Sequence, residues 1–288
     1  GLMQLVEEGM FDLDADISDY LGFYVRNPKH IEVPITLRQI LTHTSGLIEP
    51  KGYQTARSGG SVLLRDLLTE AGAETAFGKY APGAKYAYSN FGGALIGVFI
   101  EIGSAMPLDA YMNQYVFEPL GITAHYHRDL FPEGTVFATE NTTIASYEEA
   151  RPEELTTSSA GNLWMSAGDL TKILIALAGD GSYNGVSILS PETARAMRTN
   201  QSNTGSVTCK VNYGLSVQTL HGKLLSGREM CGHQGVWQSM LCAAFFDESD
   251  QTVCVALTNR SNGRDSDFAV HPVLRAAIRA AYATYGAE

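Results

Sequence analysis

The sequence lacks what a membrane span, a nucleic-acid binder or a disulfide scaffold would require. No apolar stretch reaches the roughly 18 residues of a membrane helix. The most apolar run, GGALIGVFIEIG, is interrupted by Glu101 and reads as a buried helix. Basic residues are scarce: 20 Lys and Arg stand against 31 Asp and Glu, a net charge of −11. With no run of Lys or Arg, the chain predicts no nucleic-acid partner and is disfavoured at an anionic membrane. Only four cysteines occur, Cys209, Cys231, Cys242 and Cys254. Their spacing matches no zinc pattern, so no metal or cofactor is expected. Cys242 and Cys254 fall on neighbouring expected strands, where a disulfide is conceivable. Free, partly buried thiols are the favoured reading. The chain opens at Gly1 with no signal peptide, which leaves localisation unread at that end.

What is present is a long alternation of helix signals followed by strand signals. At 288 residues the chain can build a large core. GLMQLVEEG carries Leu2, Met3, Leu5 and Val6 on a helical period ended by Gly9. FDLDADISDYL reads as a turn and short helix, PITLRQILTHTSGL as a helix stopped near Gly46, and SVLLRDLLTEAG as an amphipathic helix closed by Gly72. A helix over 91–103 follows the Pro82-Gly83 turn, and PLDAYMNQYVFEPLG forms another, ending at Gly121. Residues 122–165 are polar and irregular. Ser166 and Ser190 stand as N-caps of two further helices, the second with Pro191 at its first position. From Val211 the period becomes strand-like: YGLSVQTL, GKLLSGREMCGHQG, SMLCAAFFDES and TVCVALTNR predict an antiparallel meander of four or five strands. A helix over 270–283 closes the chain. The expected architecture is α+β in one domain over 1–288, mainly helical over 1–210, with the meander and last helix over 211–288.

Two short motifs carry chemistry. In Tyr88-Ser89-Asn90, residues two apart at a helix entry can both face one cleft. A tyrosine can act as base or proton shuttle if a nearby cation depresses its pKa, and Asn offers a donor and an acceptor. His233-Gln234-Gly235 begins an expected strand, where Gly lets a substrate backbone approach closely. Taken singly, each reads more simply as a turn tyrosine with a capping Asn, or as a histidine beside a hairpin.

The flanking segments decide between these readings. LRQILTHTSGL, PGAKYAYSN and FEPLGI occur in this order, preceded by MQLVEEGMFDLDADISDYL. Together they closely resemble class C β-lactamases and their esterase, D-aminopeptidase and D-peptidase relatives within the penicillin-binding-protein superfamily, from Gly1 to about Tyr282. The resemblance implies an antiparallel sheet flanked by helices, plus a mostly helical subdomain. It implies that Tyr88 serves as acid/base, that Asn90 contacts a catalytic Lys and the substrate, and that Val236, just after Gly235, supplies an oxyanion N–H. His233 stands where many β-lactamases carry Lys. A histidine is mostly neutral at pH 7, which favours esters or D-amino-acid peptides over β-lactams. A bacterial periplasmic or extracellular setting is also implied.

The family's third motif, Ser-x-x-Lys, is absent: no Ser among the 288 residues is followed three positions later by Lys. In relatives it lies roughly ten residues upstream of the segment matching Met3. The expectation is therefore a serine hydrolase whose nucleophile, first helix and first strands precede Gly1. The chain alone would be inactive, and TVCVALTNR would be exposed as an edge strand open to self-association. The alternative is a non-catalytic protein that keeps the cleft and binds peptidoglycan-like ligands. His43 in HTSG is read as a structural helix end rather than a partner of Ser45. His125 and His127 read as solvated loop histidines, and Ser216 lacks the second Gly of a nucleophile elbow. Asn141 begins a glycosylation sequon.

Overall fold

A computed structural model describes residues 1–138, 155, 157–201, 212–237, 240–259 and 270–285. Helices dominate the first part: α1 (Leu2–Glu7), α2 (Ile17–Leu21), α3 (Leu37–Leu41), α4 (Lys51–Arg57), α5 (Leu64–Leu68), α6 (Glu70–Ala76), α7 (Asn90–Ser104) and α8 (Leu108–Met112). A π-helical turn, Asn113–Phe117, extends α8. Then come the two-residue strands β1 (Ala124–His125) and β2 (Trp164–Met165), α9 (Ala167–Ala178), the hairpin β3 (Ser182–Tyr183) and β4 (Val186–Ser187), and α10 (Pro191–Arg198).

Local capping starts several of these helices. Thr36 and Gln39 form a reciprocal capping box at α3. Ser89, Ser166 and Ser190 each accept a backbone N–H at the heads of α7, α9 and α10, and Pro191 opens α10. Helix α7 is the hub of the helical core. Its Phe91, Ala94, Leu95, Val98 and Phe99 are all buried, and removing a Phe side chain of this kind from water stabilises by about 1.5–3 kcal/mol. Gly97 lets the Ser159 loop lie against α7: a Cβ there would sit 2.5 Å from Ser159 Oγ, which donates to the Gly93 carbonyl at 2.9 Å.

The helix expected over SVLLRDLLTEAG is broken in two. Thr69 is extended and its hydroxyl turns back onto the Arg65 carbonyl at 2.8 Å, while Glu70 takes a positive φ of 45°. Gly72 lies inside α6 rather than closing a helix. It stands so close to the end of α5 that a Cβ would fall 1.8 Å from Asp66 O. Helix α3 also ends earlier than Gly46, at Leu41, where the Thr42 hydroxyl caps the Arg38 carbonyl at 2.8 Å.

The rest of the chain builds a five-stranded antiparallel sheet in chain order: β5 (Asn212–Tyr213), β6 (Gln218–His221), β7 (Glu229–Trp237), β8 (Met240–Asp247) and β9 (Val253–Thr258). Helix α11 (Pro272–Tyr285) follows. Strand β8 explains why its sequence is apolar without alternation. Ala243 and Phe245 face α11 residues Leu274 and Ile278, while Ala244 and Phe246 face α9 residues Leu174 and Ala178. Both faces are covered, so both parities are apolar. Among the described residues β9 pairs only with β8.

Cys231, Cys242 and Cys254 are free thiols. The register shows why the conceivable bridge is not made. Cys242 sits opposite Leu257 and Cys254 opposite Phe245, an odd offset that sends the two side chains to opposite faces of the sheet. Cys209 and Asn141 lie outside the described residues.

Candidate active site

One bank of the candidate cleft is made where the chain enters α7. The Gly83 N–H donates to the Thr44 carbonyl at 2.8 Å and the Ala87 N–H to the His43 carbonyl at 2.7 Å, which ties the incoming strand to the end of α3. Ser89 is extended and its hydroxyl accepts from the Gly92 N–H at 3.1 Å. That fixes Tyr88 just outside the helix and Asn90 as its first residue. The Tyr88 hydroxyl donates to Asn90 Oδ1 at 3.4 Å, and Asn90 Nδ2 donates in turn to the Glu49 carboxylate. Tyr88 is 41% exposed, so its edge opens to solvent.

The charge beside the tyrosine is negative. Partial burial pushes its pKa above the ordinary tyrosine value, and the Glu49 charge pushes it the same way. Among the described residues no cation offsets them. Tyr88 is therefore a protonated phenol at neutral pH. Asn90, expected beside a lysine, here bonds a carboxylate.

The other bank belongs to the sheet. His233 lies on β7 with Nδ1 against the Gln234 carbonyl, so Nδ1 carries the proton and Nε2 accepts from the Tyr213 hydroxyl of β5. Burial lowers the His233 pKa, only partly opposed by the Gln234 carbonyl, which keeps the ring neutral. Strand β6 pairs with β7 only as far as Gly232. From His233 to Trp237, β7 is hydrogen-bonded to β8 alone among the described residues. Gly235 and Val236 are exposed, Val236 at 62%. Among the described residues this leaves one edge of β7 open where the His-Gln-Gly motif lies.

His43 joins the two banks. It is buried, with a positive φ of 54° that turns its ring back from the end of α3. Its ring centre lies 4.4 Å from that of Tyr88 and 4.9 Å from that of Tyr213. The Ser89 N–H donates to its Nδ1 at 3.4 Å. Burial, and secondarily the nearby His233, lowers its pKa to about 3. The Tyr88 and His233 rings face each other at 6.2 Å, so the structure brings the two motifs to one place.

Three residues of this assembly escaped the sequence reading. Tyr213 opens an expected strand without a motif, Glu49 lies in a loop, and His43 was read only as a helix end. Only the adjacency of His43 to Ser45-Gly46 offered a signal, and it pointed elsewhere. The histidine pair 125 and 127 is not solvated. Both are partly buried: His125 Nδ1 meets Asp109 Oδ2 at 2.8 Å and His127 Nε2 meets Ser158 Oγ at 3.1 Å. No group of potential metal ligands occurs among the described residues. Ser216 takes a φ of 59° and donates its N–H to the Leu41 carbonyl at 2.9 Å, a structural role.

Comparison with known proteins gives a consistent picture. A family model described as Beta-lactamase matches residues 1–278. A protein of Escherichia coli (strain K12) named "Putative D-alanyl-D-alanine carboxypeptidase" is 24% identical over 314 residues, covering 99% of this chain and 71% of that protein. Among solved structures, the D-amino acid amidase from Ochrobactrum anthropi SV3 complexed with D-phenylalanine superposes with a TM-score of 0.71 at 21% identity, covering 99% of this chain and 81% of that one. A D-stereospecific amidohydrolase from a Streptomyces species gives a TM-score of 0.66 at 23% identity, covering 100% and 83%.

Proposed function

The chain belongs to the β-lactamase family, with that family's α+β fold and hydrolase relatives, and from this premise we propose that its cleft serves a serine hydrolase acting through an acyl-enzyme on D-amino-acid amides, peptides or esters. The observation that carries the proposal is the edge of β7 left open among the described residues, where His233 faces Tyr88 across the cleft. An acyl group laid along that edge finds main-chain partners at Gly235 and Val236, the usual means by which an extended substrate joins a sheet. The relatives' names point to D-configured substrates.

Roles follow from the chemistry of each group. A serine Oγ attacks the acyl carbon, and the negative oxygen that forms is held by backbone N–H groups, Val236 supplying one. Tyr88 passes the serine proton on to the leaving group as that group's bond to the acyl carbon breaks. A lysine ammonium placed beside it would lower its pKa and let it also accept the serine proton. His233 is neutral and both its ring nitrogens are held by Gln234 and Tyr213, so it supplies shape rather than a fixed positive charge. Asn90 orients Tyr88.

The 288 residues hold no Ser-x-x-Lys, so the nucleophile is assigned to a segment outside them. The expected result is that a fluorophosphonate or penicillin probe leaves this chain unlabelled but acylates a protein that joins it to such a segment. In that protein Tyr88→Phe lowers kcat by about 10²–10⁴-fold, the range for a lost acid/base. Stoichiometric labelling of the 288 residues alone would overturn the assignment. Cleft binding without turnover in the joined protein would favour the second reading, a binder of peptidoglycan-like ligands.

A further inference from the structure

One face of this acidic chain is basic and aromatic. Residues 22–34 and 78–87 carry four of the 20 Lys and Arg, at Arg26, Lys29, Lys79 and Lys85, but only one of the 31 Asp and Glu, Glu32. The two segments are joined by Asn27, which is fully buried. Its Nδ2 donates to the Gly78 carbonyl at 3.2 Å and to the Tyr80 carbonyl at 3.1 Å, and its Oδ1 accepts the Lys29 N–H at 3.0 Å. His30 Nε2 meets the Lys79 carbonyl at 3.0 Å. Lys29, Lys79 and Tyr80, all exposed, thereby share one face. Lys79 and Lys85 hold their ammonium groups 5.2 and 4.6 Å from the centre of the Tyr80 ring. A ring positions a cation but, unlike a carboxylate, does not neutralise it. Arg26 differs, because Asp16 pairs with it. In the same loop Tyr24 is 65% and Ile31 55% exposed, and the Tyr24 hydroxyl donates to the Ile31 carbonyl at 3.2 Å.

We propose that this face docks the protein on an anionic lipid surface, with Tyr24 and Ile31 entering the headgroup layer and Lys29, Lys79 and Lys85 meeting lipid phosphates. Composition favours lipid over protein as the partner. Protein interfaces are poor in Lys. At a lipid surface Lys stems and Tyr rings lie in the interface while their charged and hydroxyl ends stay wet. The net charge of −11 repels an anionic membrane from most of the molecule, which leaves this face to make the contact. Screening over about 8 Å at physiological salt lets the local charges dominate once the face is near. Each lysine at such a surface strengthens binding by about five-fold. The face adjoins the Tyr88 bank: the Gly78 N–H donates to the Gly46 carbonyl at 2.8 Å, and Lys85 stands on the segment that leads to Tyr88. Docking therefore holds the cleft close to the lipid.

The test is co-sedimentation of this chain with vesicles of phosphatidylcholine alone and of phosphatidylcholine mixed with phosphatidylglycerol. The expected result is binding to the mixed vesicles that weakens as salt rises, and little binding to the neutral ones. Lys79→Gln combined with Lys85→Gln lowers that binding by roughly 25-fold. Ile31→Ser lowers it by about five-fold. Lys51→Gln, outside both segments, leaves it unchanged, and Tm is the same in all three variants. Absence of binding to the mixed vesicles overturns the proposal. Undiminished binding by the Lys79 and Lys85 double variant places the contact elsewhere and overturns it too. Self-association without lipid that the same double substitution abolishes assigns the face to a second copy of the chain and overturns the lipid reading.

Discussion

The two banks of the cleft are built on different principles. The Tyr88 bank hangs from a helix entry, held by one serine cap and two backbone hydrogen bonds, and stays half open to solvent. The His233 bank is a stretch of strand, partly buried at His233 and pinned by eight-residue pairing with β8. In the proposed reaction the first carries the group that moves a proton, the second the edge that aligns a substrate. His43 packs against tyrosines of both banks, so the spacing between them depends in part on a neutral imidazole.

The largest test of this contrast is the core under each bank. Phe99→Ala in α7 and Phe245→Ala in β8 both empty fully buried sites, and each is expected to cost about 3–5 kcal/mol. If the banks belong to one cooperative unit, both substitutions lower the same calorimetric transition. Two separable transitions would make the cleft an interface between independently folding parts.

A smaller effect is expected where β7 turns into the site. Gly232 has a φ of 154°, and a Cβ there would fall 2.0 Å from the Ala244 carbonyl oxygen. Gly232→Ala should cost roughly 2 kcal/mol or more and shift the His233 ring resonances. Gly235 has only the Cys242 Cβ at 3.6 Å, so Gly235→Ala should barely alter Tm while blocking ligand at the open edge. Equal losses in both would remove the distinction between a buried and an open part of β7.

Acid should weaken the joint itself. His43 titrates at about 3 in the folded chain and near 6.5 unfolded, so the unfolded state binds the proton first. The stability due to its neutral form is complete above about pH 6.5 and declines as pH falls toward 3, by about 1.4 kcal/mol per pH unit. His233 is lowered in the same direction. Denaturation midpoints measured from pH 7 to 5 should fall, and His43→Gln should fall less steeply. Parallel curves would show that His43 is not the titrating joint.

The smallest effect is spectroscopic. Glu49 raises the Tyr88 pKa, so ultraviolet titration of Glu49→Gln should show the Tyr88 transition at lower pH than in the native chain. Tyr88→Phe identifies which transition is its own. An unmoved transition would separate the Tyr88 bank from Glu49.

Much of this was legible in the sequence because its signals are local. The caps Ser89, Ser166 and Ser190, the β8 and β9 runs and the order of the family segments all act within a few residues. Thr69 shows the limit, since its side chain ends α5 inside a run whose apolar period continues through it. The cleft was half readable. Tyr88, Asn90 and His233 came with motifs, whereas Tyr213 and Glu49 reach the site only through folding, 20 residues from His233 and 41 from Asn90. Nothing in an isolated Glu or Tyr announces such a partner. The pKa of Tyr88 was also beyond reading, because its sign depends on which charge folding places beside it.

The odd register of the cysteines has a consequence for oxidative chemistry. Cys242 and Cys254 lie on opposite faces and three positions apart along the ladder, a separation of roughly 10 Å. Cys231 shares a packed cluster with Cys242 but lies four positions along β7 from the residue facing it, roughly 13 Å. A disulfide tolerates a Cα separation of no more than about 7 Å. Oxidant cannot staple this sheet from within while it stays folded. A thiol count taken before and after mild oxidation should show all three sheet cysteines still reduced, and any linkage among them that does form would report that the strands had first come apart.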